Sequence, residues 1–276
     1  MYITKARGNK EPFSEEKIHS SSLRAGASSE VAMDITRRVQ KKIKPGVSSD
    51  KIYEQVVKGL QQHEPALAAR YSLKRAIMKM GPTGYPFEQY IAAVLREHGY
   101  GAEVGQIMSG ECVQHEVDIL ARREKKNYLI ECKYHNQPGT RSDIKVPLYV
   151  YARFLDVKKK WDESHVGDPL AGAWVVTNTK VTQDAVMYCK CVGMRVIAWR
   201  YPGSGGLEQL IESKKLYPLT VLPSLSSAIW IQLARCGIVL VRDLLRFDSV
   251  SLSRKTGLAV RSLGNIRAEA QQLLAV

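Results

Sequence analysis

Asp118, Glu131 and Lys133 are the residues whose types and spacing point most directly to chemistry. They sit in a stretch that starts at His115 and runs Glu-Val-Asp-Ile-Leu-Ala-Arg-Arg-Glu-Lys-Lys-Asn-Tyr-Leu-Ile-Glu-Cys-Lys to Tyr134. Val117, Ile119 and Ala121 alternate with charged or larger residues, a charged turn follows, and Tyr128-Leu-Ile opens a second apolar run. The stretch therefore reads as a β-hairpin. Asp118 falls on the first strand. Glu131 and Lys133, two apart on the second, leave the same face. Alternation puts Glu116 on the face of Asp118 and turns His115 away or toward a substrate groove. Two carboxylates make an oxygen site for a hard divalent cation such as Mg2+ or Mn2+. An ammonium beside them stabilises a developing phosphate charge or positions a water. The plain alternative is a hairpin whose charges are only its solvated face. Against it, the unbroken apolar run before Glu131 suits a strand buried on both faces, where an acid and a lysine need a reason.

The elements that must position these groups begin just upstream. Gly84-Tyr-Pro-Phe-Glu-Gln-Tyr-Ile-Ala-Ala-Val-Leu-Arg-Glu-His reads as an amphipathic helix closed by Gly99. Phe87-Glu88 on that helix, the Gly99-Tyr100 turn, Asp118 on a strand and Glu131-Cys132-Lys133 follow in one order. In that order residues 81–202 resemble the Mrr-like restriction endonuclease family, part of the PD-(D/E)xK nuclease superfamily. The resemblance implies a DNA endonuclease that hydrolyses phosphodiester bonds with Mg2+ or Mn2+. It implies Asp118, Glu131, Lys133 and Glu88 as the catalytic set, and Asp118, Glu131 and the Cys132 carbonyl as metal ligands.

Downstream, His135-Asn-Gln-Pro-Gly-Thr-Arg-Ser is a turn-rich loop. A helix is predicted from Asp143 to about Trp161, with Lys158-Lys-Lys at its solvated end, where it can touch phosphates. Gly172–Asn178 reads as a buried strand, Val181–Val192 as a helix and Met194–Trp199 as a strand. Strand, helix, strand after a meander predicts a mixed sheet flanked by helices, with a right-handed crossover.

The chain of 276 residues carries a net charge of +14, and its composition is that of a soluble globular protein. Lys and Arg outnumber Asp and Glu by 16 to 8 over residues 1–80 and 9 to 5 over 203–276, but only 16 to 14 over 81–202. The excess therefore flanks the chemical segment, and it favours a polyanionic partner. Five cysteines, mostly in apolar contexts, fit reduced thiols in a cytoplasmic compartment better than a disulfide frame. Cys189-Lys-Cys191 lacks a second pair at zinc-ligand spacing and reads as buried small residues. No signal peptide is read, and no apolar run reaches the ~20 residues of a membrane span.

Residues 1–80 open with a strand-like Tyr2-Ile-Thr-Lys-Ala-Arg turned at Gly8-Asn9. Four helices follow: from Glu15 with Ser14 as cap, from Ser28 or Ser29, from Ser49 to Leu60, and from Pro65 to Gly81-Pro82. Ile3-Thr-Lys-Ala-Arg-Gly, Glu11-Pro-Phe-Ser-Glu-Glu-Lys-Ile and Ala69-Arg-Tyr-Ser-Leu-Lys resemble the ATP-cone, the nucleotide-binding module at the head of ribonucleotide reductases. The resemblance implies that Lys5, Arg7, Gly8, Lys17 and Ile18 hold ATP or dATP. The sequence departs from the family pattern at Ala6, where an arginine is usual. A degenerate helical cap or DNA-binding lobe is the alternative.

Residues 203–276 begin with a linker and a short helix, Leu207–Lys215. Helices are then predicted over Ser224–Arg235, Val239–Phe247, Leu252–Gly257 and Ser262–Leu274. Ala234-Arg-Cys-Gly-Ile and Lys255-Thr-Gly-Leu resemble helix-hairpin-helix modules, which hold the DNA backbone with glycine amides at helix ends. A bundle for packing or dimerisation is the alternative.

The whole reads as an α/β chain of three segments. These are a mostly helical ATP-cone (1–80), a nuclease-like mixed sheet flanked by helices (81–202), and a linker with a small helical domain (203–276). The expected function is a DNA endonuclease, acting on double-stranded DNA in prokaryotic defence or repair, with a nucleotide effector, no membrane and a homo-oligomeric state. The competing class is a non-cutting, nucleotide-responsive DNA-binding regulator that keeps the nuclease fold as a scaffold.

Overall fold

The computed structural model describes residues 1–5 and 8–274. In chain order the elements are β1 (Tyr2–Thr4), β2 (Lys10–Pro12), α1 (Glu15–Arg24), α2 (Ser29–Lys42), α3 (Ser49–His63), α4 (Pro65–Met78), α5 (Tyr85–Glu97), β3 (Gly101–Ser109), β4 (Gln114–Arg123), β5 (Lys126–Lys133), β6 (Arg141–Ser142), α6 (Lys145–Ser164), β7 (Leu170–Thr177), β8 (Lys180–Val181), α7 (Gln183–Cys191), β9 (Arg195–Ile197), α8 (Leu207–Ser213), α9 (Ser227–Arg235), α10 (Val241–Leu245), α11 (Ser249–Thr256) and α12 (Val260–Leu274). Contacts divide the chain into two compact units, one of Met1–Leu73 with the last stretch from Arg267, the other Lys74–Ile266.

In the first unit β1 and β2 form an antiparallel hairpin. Serine caps start its helices: Ser14, Ser28 and Ser48 accept from Lys17, Val31 and Lys51 amides. Ala32, Ile35 and Val39 on α2 and Ile52, Val56 and Leu60 on α3 recur at helical spacing and are buried together with Ile18 of α1 and Ile3 of β1. Ser28 rather than Ser29 is the second cap, and the third helix runs on to His63.

The second unit is built on a five-stranded sheet of order β3-β4-β5-β7-β9, antiparallel across β3, β4 and β5 and parallel from β5 through β9. Strand β3 is an edge strand that the periodicity reading left unassigned; its alternate residues are exposed, so its apolar signal is thin. β5 lies at the centre, paired on both sides, which explains its run of buried residues. Leu129, Val150, Phe154, Val157, Leu170 and Val175 are part of the core between sheet and α6.

Several boundaries differ from expectation, among them those of α7, β9 and α10. Lys180–Val181 pairs with Arg141–Ser142, and Thr182 then caps α7, so that helix starts later than Val181. Strand β9 is only Arg195–Ile197. Ile238, Val239 and Leu240 are buried, and Leu240 bridges Pro218, while Asp243 accepts from the Leu240 amide. The helix expected from Val239 is thereby shortened to α10.

Residues 207–245 brace α5. The Tyr90 hydroxyl donates to Leu216 O at 2.8 Å, Lys214 Nζ to Glu97 O at 2.5 Å, and His98 Nε2 lies 2.9 Å from Leu210 O. Arg242 Nη1 stands 3.2 Å from Glu97 Oε2. Gly237 (φ 72°) and Gly257 (φ 70°) each turn one helix into the next in the left-handed region that favours glycine.

Candidate active site

The β4–β5 ladder runs from Arg123↔Lys126 at the turn to Ile119↔Ile130. The ladder ends there, and Asp118 and Glu131 are the next residues of the two strands, so both carboxylates stand where the hairpin opens. Asp118 Oδ2 accepts the Cys132 amide at 2.7 Å, which fixes the carboxylate against the opposing strand. Lys133 is two residues beyond Glu131, half-buried, on the same face. Glu88 lies in the first turn of α5, its amide donating to Gly84 O at 3.1 Å. Tyr134 and Phe87 pack ring to ring at 5.6 Å and help join that helix to the end of β5.

The electrostatics show that these acids share one space. Burial, then Asp118, Glu116 and Glu131, push the Glu88 carboxyl up to about 7. Burial and then Glu131 push Asp118 up to about 6, against the Cys132 amide and Arg153, which lower it. Like charges in a poorly hydrated pocket disfavour ionisation, and this cluster has more anions than cations.

Two groups that sequence reasoning did not assign to the site come from α6. The Tyr149 hydroxyl donates to Glu131 Oε1, and Arg153 Nη1 donates to Glu131 Oε2 at 2.7 Å. Their i, i+4 spacing is the signal that could have paired them, since both must leave α6 on one side. Beyond Lys133 the loop is fixed by Asn178, whose Oδ1 accepts from the His135 amide at 2.9 Å and whose Nδ2 donates to His135 O at 2.7 Å. His115 is turned away from the cluster: its Nε2 lies 2.7 Å from Asp156 Oδ2, and Asp156 also accepts the Cys112 amide at 2.9 Å. The lysine run has close partners of its own. Lys158 pairs with Asp162, Lys159 with Glu111 and Lys160 with Glu163.

The pH dependence follows with a definite sign. Asp118 and Glu88 have raised carboxyls, so the folded protein binds more protons than the unfolded chain between about pH 4 and about pH 7. Their ionisation therefore costs stability as pH rises through that window. His135, lowered by burial and then Lys133, acts in the opposite sense. It is common to wild type and to Asp118→Asn, so the difference between the two isolates the acids. Melts at about pH 5 and about pH 8 are expected to show Asp118→Asn gaining on wild type at the higher pH. Parallel curves would contradict the shared burial.

In the first unit, a cavity of about 140 Å³ is lined by Ile3, Lys5, Glu11, Phe13, Lys17, Ile18, Ser49 and the rings of Tyr53 and Tyr71, among others. Lys5 Nζ lies 2.6 Å and Lys17 Nζ 3.5 Å from Glu11 Oε1. Lys5 foremost holds the Glu11 carboxyl below its ordinary value. Ile18 is also a core residue, and Gly8 (φ 83°) sits in the hairpin turn. Arg7 and the departure at Ala6 lie outside the described residues.

Comparison with known proteins matches these parts. The ATP cone domain family profile matches residues 1–80, a restriction endonuclease profile residues 79–201, and the AF1548-like C-terminal profile residues 217–274. An uncharacterized protein of Archaeoglobus fulgidus is 37% identical over 184 residues, 67% of this chain and 99% of that one. A crystal structure of a protein of unknown function, AF1548, is similar with a TM-score of 0.62 at 36% identity, covering 70% of this chain and 99% of its own. None of the described helices is both long and apolar enough to cross a membrane.

Proposed function

This chain belongs to the AF1548-like family and carries a restriction endonuclease domain behind an ATP cone domain, and from that premise we propose that it is a metal-dependent endonuclease hydrolysing DNA phosphodiester bonds under nucleotide control. The observation that carries the reading is Asp118, bonded to the Cys132 amide and close enough to Glu131 to feel its charge, where the hairpin opens, with Lys133 two residues beyond Glu131 on β5.

The donor set suits Mg2+ or Mn2+. Its atoms are hard carboxylate oxygens, and the raised carboxyls of Asp118 and Glu88 mark an anionic cluster short of countercharge. Among the described residues, groups of three or more His, Cys, Asp or Glu in metal-holding geometry are absent. Magnesium commonly takes one or two carboxylates and completes its shell with water and substrate phosphate, so a pair fits. Asp118 and Glu131 would hold the ion, with the Cys132 carbonyl beside them. Once bound, such an ion polarises the phosphate and lowers the pKa of a water.

The chain's own groups supply the rest. The Lys133 ammonium orients the attacking water and offsets charge that develops on the phosphate. Glu88, with its raised pKa, is suited to take up a proton near neutral pH. The cationic excess holds the polyanion, with the glycine turns at Gly237 and Gly257 presenting backbone to phosphates. Nicking of supercoiled plasmid in Mg2+, abolished by EDTA, tests the reading; undiminished cutting in excess EDTA would end it.

ATP or dATP is the proposed effector of the cone. Its cavity combines two lysines for phosphates with two tyrosine rings for a base. Ligand phosphates would replace Glu11 as partner of Lys5 and Lys17. Calorimetry on the full chain is expected to show binding of ATP or dATP, weakened at least about tenfold in Lys5→Ala/Lys17→Ala. An absence of heat at millimolar nucleotide would remove the effector and leave a DNA-binding or dimerisation lobe. Control of cutting requires that nucleotide bind two states unequally, so DNA and nucleotide should alter each other's affinity by one factor.

A further inference from the structure

Glu131 is held by a cation of the chain's own. Arg153 lies 2.7 Å from one carboxylate oxygen, and the Tyr149 hydroxyl bonds the other. The guanidinium also lies over the Tyr149 ring, 5.5 Å from its centroid, so it is fixed from two sides. Arg153 and Glu131 are 23% and 12% exposed, which makes the pair much drier than a surface ion pair.

The charges around this pair are uneven. Glu88, Glu116 and Glu131 all act on Asp118 or on one another, while Arg153 is a cation that acts on Asp118, and Lys133 follows Glu131 by two residues on β5. A divalent ion bound through Asp118 and Glu131 would place a second positive centre on the carboxylate that Arg153 holds. Two cations at ion-pair distance from one carboxylate repel strongly in a poorly hydrated site. Tyr149 is neutral and stays compatible with either occupant.

We infer that Arg153 is a displaceable cation: it holds Glu131 in the metal-free protein, yields that carboxylate when a divalent ion binds, and then takes a phosphate oxygen of the substrate. The inference rests on the endonuclease reading and assigns to Arg153 a role in it. A guanidinium suits that second partner because its planar fork matches phosphate as well as carboxylate. Tyr149 keeps Glu131 oriented throughout, as a positioning residue. The exchange also gives the site an order. In the metal-free protein Arg153 is committed to Glu131, so its charge is not offered to phosphate until the ion is in place.

The test is Mn2+ binding to the full chain without DNA, read by electron paramagnetic resonance of the free ion, on wild type, Arg153→Gln, Arg153→Lys and Tyr149→Phe. Arg153→Gln should bind Mn2+ at least about fivefold more tightly than wild type, because a competing charge is gone. Arg153→Lys should stay close to wild type, and Tyr149→Phe should gain nothing. At saturating Mn2+, Arg153→Gln should still nick plasmid at least about tenfold more slowly, since the phosphate has lost its partner. Weaker or unchanged Mn2+ binding by Arg153→Gln overturns the handover and makes Arg153 a structural prop. If Arg153→Gln does not fold, Arg153→Lys decides: wild-type nicking there overturns the phosphate role, and slower nicking at unchanged Mn2+ affinity supports it. Absence of Mn2+ binding in wild type overturns the endonuclease reading, and the handover falls with it.

Discussion

Lys133→Ala is expected to nick plasmid about a hundredfold to a thousandfold more slowly than wild type, while duplex binding stays within about twofold. The first half follows from place. Lys133 leaves β5 on the face of Glu131, at the open end of the hairpin where Asp118 bonds the Cys132 amide. A fixed ammonium in a poorly hydrated site stabilises charge that develops only as the phosphate is attacked, so its loss falls on the rate. The second half follows from number. The chain has 41 Lys and Arg, and one of them carries a small share of the attraction to a polyanion. Asp118→Ala should match Lys133→Ala in rate for a different reason, the loss of a cation ligand. Plasmid nicking assays and fluorescence anisotropy in Ca2+ measure the two halves separately. Full activity of purified Lys133→Ala would remove the residue from the mechanism.

Trp230→Ala is expected to cost the second unit about 3–5 kcal/mol, the range for losing a large buried aromatic side chain. Trp230 is 2% exposed, and its indole Nε1 donates to Met80 O at 2.6 Å. Truncation thus leaves a cavity and a buried carbonyl without its donor. Met80 lies just ahead of α5, the helix that carries Glu88, and α5 is held further along by Leu210, Lys214, Leu216 and Arg242. Urea unfolding followed by circular dichroism should show the loss in the larger transition. A cost below about 1 kcal/mol would mean that α9 is peripheral to that unit.

How far the sequence discloses this molecule depends on the range of the contacts involved. The hairpin is legible because alternation and a charged turn are local, and the structure pairs its strands from Arg123↔Lys126 to Ile119↔Ile130. The helices of the first unit are legible for the same reason, since serine caps and apolar periods name their own boundaries. Strand β3 stays hidden because an edge strand with exposed alternate residues has a weak pattern. The grip of Tyr149 and Arg153 on Glu131 also stays hidden. Tyr149 reads as part of an apolar helix face, and its hydroxyl finds its partner 18 positions away only after α6 docks. The bracing of α5 lies further still from view: the Tyr90 hydroxyl meets a carbonyl 126 positions downstream, and no local pattern encodes such a pairing. The shortened α10 shows the same thing in reverse, since burial of Ile238–Leu240 as extended chain outweighs a helical apolar period.

The central claim is that the opening of the β4–β5 hairpin is a working, metal-dependent cutting site. The most direct test is supercoiled plasmid incubated with the full chain in Mg2+, with Asp118→Asn purified in parallel and each run again in EDTA. Conversion to nicked and linear forms by wild type in Mg2+ alone is the predicted result. Equal conversion by Asp118→Asn, or the same conversion in EDTA, would contradict it.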